Sequence, residues 1–324
     1  MLYSVKPGEL YVTRRDAGEI LLLRDTDGDS KFDELYPVVA EFKGVHGITI
    51  KDGWLYGCSN RELKRFKLTD SGTVTVEELL IKDLPDGGQH GNRTMEFGPD
   101  GFLYVSVGST CNDCYETNKE NATLLRIDPE TWKRTIYARG LRNTIGFAWH
   151  PETKELWGLD NGSDAKGDTV APEELNKIEK DLDYGWPVAW GKQVADKTRE
   201  DPPGTTVEEY ARNSASSTLE FPAHSAPIAF RFIDKENAIV CWHGSWDRKD
   251  PVGFKVQLIR FNNGKPSAGP DFLSGFLDQK TRSTSGRPAG ITVDSNGIIY
   301  ISDDANGVIY SVTKNKNNSI SSSK

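Results

Sequence analysis

The chain has 324 residues and a formal net charge of −8, with 31 Gly and 16 Pro against only 2 Met. This length buries a large core without disulfides or metals, and the acidic balance argues against a nucleic-acid partner or an anionic membrane surface, either of which calls for a basic face. No stretch approaches the roughly 20 apolar residues of a membrane span.

One strand-turn-strand pattern recurs along the chain, at residues 2–13, 47–57, 95–105, 147–158, 228–240 and 290–303. Each copy has alternating apolar residues, a turn rich in Asp, Gly, Asn or Pro, and a second alternating run. Most copies are followed by a third strand, at 19–23, 63–68, 123–127, 255–261 and 308–312. Six copies spaced by about 50 residues predict an all-β, six-bladed β-propeller. A single domain is expected over 1–313, with a polar, Ser-rich tail at 314–324 expected to be disordered. The last copy shows three strands, through Val312, and no strand that closes the ring is evident. Residues 173–180 are the best short helical candidate.

In chain order, the first notable loop is Asp25 to Glu34. Asp25, Asp27 and Asp29 alternate as in a calcium loop, with Asp33 further on. Ser30 replaces the turn glycine and Tyr36 stands where a bidentate Glu belongs, so a solvated acidic hairpin is the competing reading. His90 precedes the third copy, and the pair Arg142-Asn143 precedes the fourth. Such departures from a structural repeat are where chemistry concentrates. Cys111 and Cys114 form a CxxC without the His of a haem site or the second pair of a zinc site. A local disulfide and a pair of free thiols both fit, and a disulfide would place the protein in an oxidising compartment. Cys58 and Cys241 sit in apolar strands as buried thiols. His150 lies in a Pro turn and is expected at the surface.

Taken in order, the segments His90–Gly101, Gly108–Cys114, Gly140–Asn143, Asp160–Asp164, Glu174–Asn176, Asp183–Pro187, Ala223–Pro227, His243–Arg248 and Gly286–Gly290 resemble the soluble pyrroloquinoline-quinone (PQQ)-dependent aldose dehydrogenases, closest to the sorbosone dehydrogenase-like branch. The resemblance runs from about residue 5 to residue 312, and the family's fold is a six-bladed propeller. It implies PQQ and Ca2+ as cofactors, a sugar substrate oxidised at C1 by hydride transfer, an external electron acceptor, and a periplasmic or secreted location.

The resemblance also implies roles. His90 corresponds to the general base. Arg142 and Asn143 would contact the quinone edge, Asn161 would adjoin it, and Arg287 with Arg248 or Lys249 would bind the cofactor carboxylates. The carbonyls of Gly162 and Ser163, with Asp164, would hold calcium. Ser109 stands where the family often has an Asp that orients the base, and Ser163 stands where a Pro is common. Gln89, His46, Trp186 and His224 are candidates for the substrate pocket, and Trp186, Trp242 and Trp246 offer stacking faces. Two other functions compete: a calcium-dependent sugar-lactone hydrolase, and a cofactor-free propeller serving as a binding module.

Overall fold

The computed structural model describes residues 1–4, 6–314 and 320–323. Among them lie six four-stranded antiparallel sheets, each built from strands consecutive in space from the inside outward. The inner strands are Leu2–Ser4, Gly47–Lys51, Met95–Phe97, Gly146–Trp149, Pro227–Phe232 and Pro288–Val293. All six repeat units identified in the sequence are blades of this propeller.

Local chemistry makes the hairpins. In the second blade the turn is Asp52-Gly53, both with positive φ (51° and 75°). This is the pair favoured where two strands must turn in two residues with the right twist. In the third blade the Asp100 carboxylate accepts the Phe102 amide at 3.2 Å and the Tyr104 hydroxyl at 3.0 Å, fixing the turn before Leu103–Val107.

The core is divided among the seams between blades. Leu103, Val105 and Val107 pack with Tyr56, Cys58 and Leu63 of the second blade. Tyr104, on the same strand, packs with Phe147 and Leu156 of the fourth. This alternation is the period-two geometry of a strand buried on both faces. The same division holds in the fifth blade, where Val240 and Trp242 face the fourth blade while Ile239 and Cys241 face the sixth. The first and second blades meet around Tyr11, Ile20, Phe42 and Phe66. The ring closes where Leu2, Leu10, Leu21 and Leu23 meet Tyr300, and the Ser4 amide donates to Thr292 Oγ1 at 3.3 Å.

Three expectations need correction. Ile320–Ser323 pairs antiparallel with Val308–Lys314 as the outer strand of the sixth blade, so part of the polar tail is structured. Residues 315–319 and 324 lie outside the described residues. Glu173–Lys177 is the third strand of the fourth blade, paired with Leu156–Asp160 and Leu219–Phe221. Its charges suggested a helix, but pairing on both sides and burial of Leu175 prevail. The helix is instead Val207–Asn213, with Thr206 accepting the Glu209 amide at its start. His150 is buried: Nε2 donates to the Lys235 carbonyl, and Nδ1 accepts the Glu152 and Thr153 amides.

Candidate active site

The site loops precede inner strands and follow second strands of the blades. These loops carry most of the candidate residues. His90 ends a short 3-10 turn, Gly88–His90, ahead of the third blade. A side chain at Gly108 would lie 2.5 Å from His90 Cβ and 3.0 Å from Asn143 Oδ1. Only glycine lets these two approach so closely across the end of Leu103–Val107.

The hydrogen bonds of His90 fix its tautomer. Nδ1 lies 3.0 Å from the Ser109 carbonyl, which can only accept, so Nδ1 carries the proton. The Ser109 hydroxyl, 2.9 Å from the same nitrogen, donates its own hydrogen bond to the Cys111 carbonyl at 2.7 Å. Nε2 is left as the basic nitrogen. Burial, and then the positive charge of Arg142, push the imidazole pKa down to about 4. Ser109 thus orients the ring as an Asp would, without the negative charge that would raise its basicity.

Arg142 is buried and held on every side. Nε donates to the Asn112 carbonyl at 2.9 Å and Nη2 to Asn112 Oδ1 at 2.8 Å, while Nη1 reaches the Asn161 carbonyl at 3.3 Å. Its counter-ion is Asp164, 3.0 Å from Nη2. The other Asp164 oxygen faces His224 Nδ1 at 3.3 Å, and His224 Nε2 donates to the Gly167 carbonyl at 3.0 Å. The main chain beneath is set by Asp160, whose carboxylate accepts the amides of Arg142 and Asn143 and the hydroxyl of Thr144. Burial raises the Asp160 pKa to about 6. Glu173 does the same for the next loop, accepting the Gly162 and Ala226 amides at 3.0 Å each, and burial raises it to about 8.

The segment 161–164 leaves this frame with two acceptors. Among the described residues, no donor reaches the carbonyls of Gly162 or Ser163. Asn161 Nδ2 ties the loop to the carbonyls of Asn143 and Pro227. Trp186 is buried and donates its indole N–H to Ser163 Oγ at 3.1 Å, so it braces this loop from below. Trp242 is likewise in the core, whereas Trp246 is 71% exposed.

A second group lies across the loop after the fifth blade's second strand. Arg287 donates to the carbonyls of His243 and Gly244, and Arg248 to those of Ala223 and Asp250. Neither guanidinium, nor the exposed ammonium of Lys249, pairs with a carboxylate among the described residues. Two contacts connect this group to the first: Asp247 accepts the Ala165 amide at 2.8 Å, and the Lys249 amide donates to Asp168.

The remaining candidates are Gln89, next to His90 in the chain, and His46, which meets the Arg93 carbonyl. His46 Nδ1 donates to the Arg93 carbonyl at 2.8 Å, and burial pushes its pKa down to about 3. Gln89 is exposed beside His90. Arg93, fully buried, ties the His90 carbonyl to Asn60 Oδ1 and the Pro85 carbonyl.

The acidic loop 25–33 stands apart from this site. Oxygens of Asp25, Asp27 and Asp29 gather within 4.8 Å of one another, while Asp33 turns back to the amide and hydroxyl of Thr26. Cys111 and Cys114 are joined as a disulfide, and Cys58 and Cys241 are free and buried. Sequence reasoning assigned no role to Asn112, Asp160, Glu173 or Arg93. All four lie in or beside segments already singled out, but nothing in their spacing announces which main-chain groups they hold.

Residues 5–245 match the family model described as glucose/sorbosone dehydrogenase, and residues 177–315 match one described as TrAA12-like. The first description takes in the sorbosone branch without separating it. An uncharacterized protein of Borreliella burgdorferi is 34% identical over 65% of this chain and 56% of its own length, so the match spans about half of that relative. The fold is shared with a Trichoderma reesei protein of carbohydrate-active enzyme family AA12, at a TM-score of 0.83 and 22% identity over 95% of this chain and 91% of that one. It is shared too with the PQQ domain of Coprinopsis cinerea pyranose dehydrogenase in its holo form, at a TM-score of 0.78 and 19% identity over 95% and 90%. With well over half of its residues under the first model, the chain belongs to the glucose/sorbosone dehydrogenase family.

Proposed function

We propose that this protein is a PQQ- and calcium-dependent dehydrogenase that oxidises an aldose or related sugar at C1 and passes the electrons to a separate acceptor. The observation that carries this reading is the set of cations without carboxylate partners. In a chain of net charge −8, Arg248, Arg287 and Lys249 make no carboxylate ion pair among the described residues; the two guanidiniums donate to carbonyl oxygens, and Arg287 also lies 5.6 Å over the Phe254 ring. That arrangement suits a ligand with several carboxylates, such as PQQ. The unclaimed carbonyls of Gly162 and Ser163 are hard oxygen donors suited to Ca2+.

When bound, the quinone would supply the hydride acceptor; the protein supplies the rest. His90 Nε2 would accept the proton of the anomeric hydroxyl, with the ring held by Ser109. The low basicity of His90 limits how far it drives that transfer. Arg142 and Asn143 would hold the quinone edge, where a positive charge and an amide favour developing negative charge. Asp164 offsets the charge of Arg142 and so tempers this effect, while Gln89 is exposed beside His90. The disulfide supports an oxidising compartment, periplasmic or secreted.

The test is a titration of the purified chain with PQQ, with and without Ca2+, followed by dye reduction with aldoses. Calcium-dependent binding at micromolar quinone followed by dye reduction is the expected result. No binding with excess calcium would defeat the reading and leave a binding module or a calcium-dependent sugar-lactone hydrolase.

A further inference from the structure

The disulfide closes only four residues, yet those residues reach most of the candidate site. The Cys111 carbonyl accepts the Ser109 hydroxyl that orients His90. Asn112 presents two acceptors, its carbonyl and Oδ1, to Nε and Nη2 of Arg142. A guanidinium is a rigid fork, so two acceptors on one residue set its plane as well as its position. Asn112 also grips the segment 161–164: Oδ1 accepts the Asp164 amide at 2.8 Å, and Nδ2 donates to the Asp164 carbonyl at 2.9 Å. Asp113 anchors the other side through Lys166 at 2.7 Å and through Arg199, and both cations also meet the buried carboxylate of Asp196.

We infer that Asn112 is the positioning residue for Arg142 and for the loop 161–164, and that the Cys111–Cys114 disulfide is the redox-sensitive clamp that holds Asn112 in place. A dithiol passes two electrons and two protons to this bond, leaving thiols on Cys111 and Cys114 and a disulfide on the reductant. The loop then regains conformational freedom, and the contacts made by Asn112 weaken together. Both cysteines of the pair are half-buried, whereas Cys58 and Cys241 are fully buried. The clamp is therefore the accessible redox site. The protein would be fully assembled in an oxidising compartment and slack in a reducing one.

This inference rests on the quinone reading for its consequence, but its geometry can be tested separately. Oxidised wild type, C111S/C114S, N112A and N112D are compared by PQQ titration with calcium and, without cofactor, by amide hydrogen exchange over residues 159–166. C111S/C114S and N112A are expected to bind the quinone about tenfold more weakly, the scale of a lost hydrogen bond to a charged group. N112D, which keeps an acceptor for Arg142, should recover part of that loss. Exchange over 159–166 should quicken in C111S/C114S and N112A. Equal affinity for wild type and N112A, or unchanged exchange in C111S/C114S, overturns the inference and leaves the quinone reading standing. If oxidised wild type does not bind the quinone, that reading fails and exchange alone decides: protection kept without the disulfide overturns the inference, and protection lost supports it. Should C111S/C114S not fold, wild type reduced with a dithiol, desalted and checked for four thiols takes its place.

Discussion

Two loops of this propeller look alike in sequence and differ in what they touch. The acidic tip at 25–33 and the disulfide loop at 109–116 are both short, polar and rich in side chains that bond main-chain groups. In the acidic tip every such bond is local: Asp25 to Gly28 and Ser30, Asp27 to Asp29, Asp29 to Lys31, Asp33 to Thr26. In the disulfide loop the bonds reach Arg142, Asp164, Lys166 and Arg199, far along the chain. Phe32 aside, which packs on Tyr300, the polar residues of the acidic tip satisfy one another and can be changed with little consequence elsewhere. A loop that satisfies distant groups carries their geometry, and its residues act on chemistry they do not touch.

The largest expected effect breaks the site side of this contrast at its base. His90→Ala should leave quinone binding intact while turnover falls by about 10²–10⁴-fold, the usual worth of a general base. Arg142→Ala should weaken quinone binding and turnover together, because it also strips Asp164 and Asn112 of their partner. A quinone titration alongside dye-reduction kinetics separates the two, and near-normal turnover in His90→Ala would make His90 structural.

A smaller effect is expected in the pH profile. On the proposed role His90 works in its neutral form, and burial with Arg142 and Arg93 nearby lowers its pKa to about 4. Activity should therefore persist through pH 6 and fall only as the pH drops toward about 4, the opposite of a histidine stabilised by a carboxylate. An acid limb near the ordinary histidine value of about 6.5, measured as kcat/KM, would contradict the environment described for His90.

The smallest effect belongs to the acidic tip. Asp27→Asn, at an exposed position with one local bond, should change stability by less than about 0.5 kcal/mol and leave quinone affinity unaltered. A melting curve with and without calcium checks this. A clear calcium-dependent rise in Tm that Asp27→Asn removes would give the tip a metal-binding role and dissolve the contrast.

What the sequence made legible follows the same division. The six hairpins could be read because their alternation and turn residues are local signals, repeated six times. His90 and Arg142 stand out as candidates because they interrupt that repeat. The outer strand Ile320–Ser323 could not, because a Ser-rich segment pairs there through its main chain. Residues 173–177 misled because their charges suit a helix, whereas Glu173 is a buried acceptor for amides on other loops. Asn112 was invisible for a related reason: its partners lie across folds of the chain that no spacing reveals. The pairing of Cys111 with Cys114 was open between a disulfide and free thiols, and the structure closes it.

The seam between the first and sixth blades sets an order of events. Every other seam joins blades adjacent in the chain, but this one needs Leu2, Leu10, Leu21 and Leu23 to find Tyr300, and Ser4 to find Thr292. Contacts of such sequence separation form slowly, since closing a long loop costs entropy before the contacts stabilise it. Until the sixth blade folds, the first presents a row of leucines to solvent, so an interrupted chain exposes an adhesive edge. Ring closure is thus the step at which folding competes with aggregation.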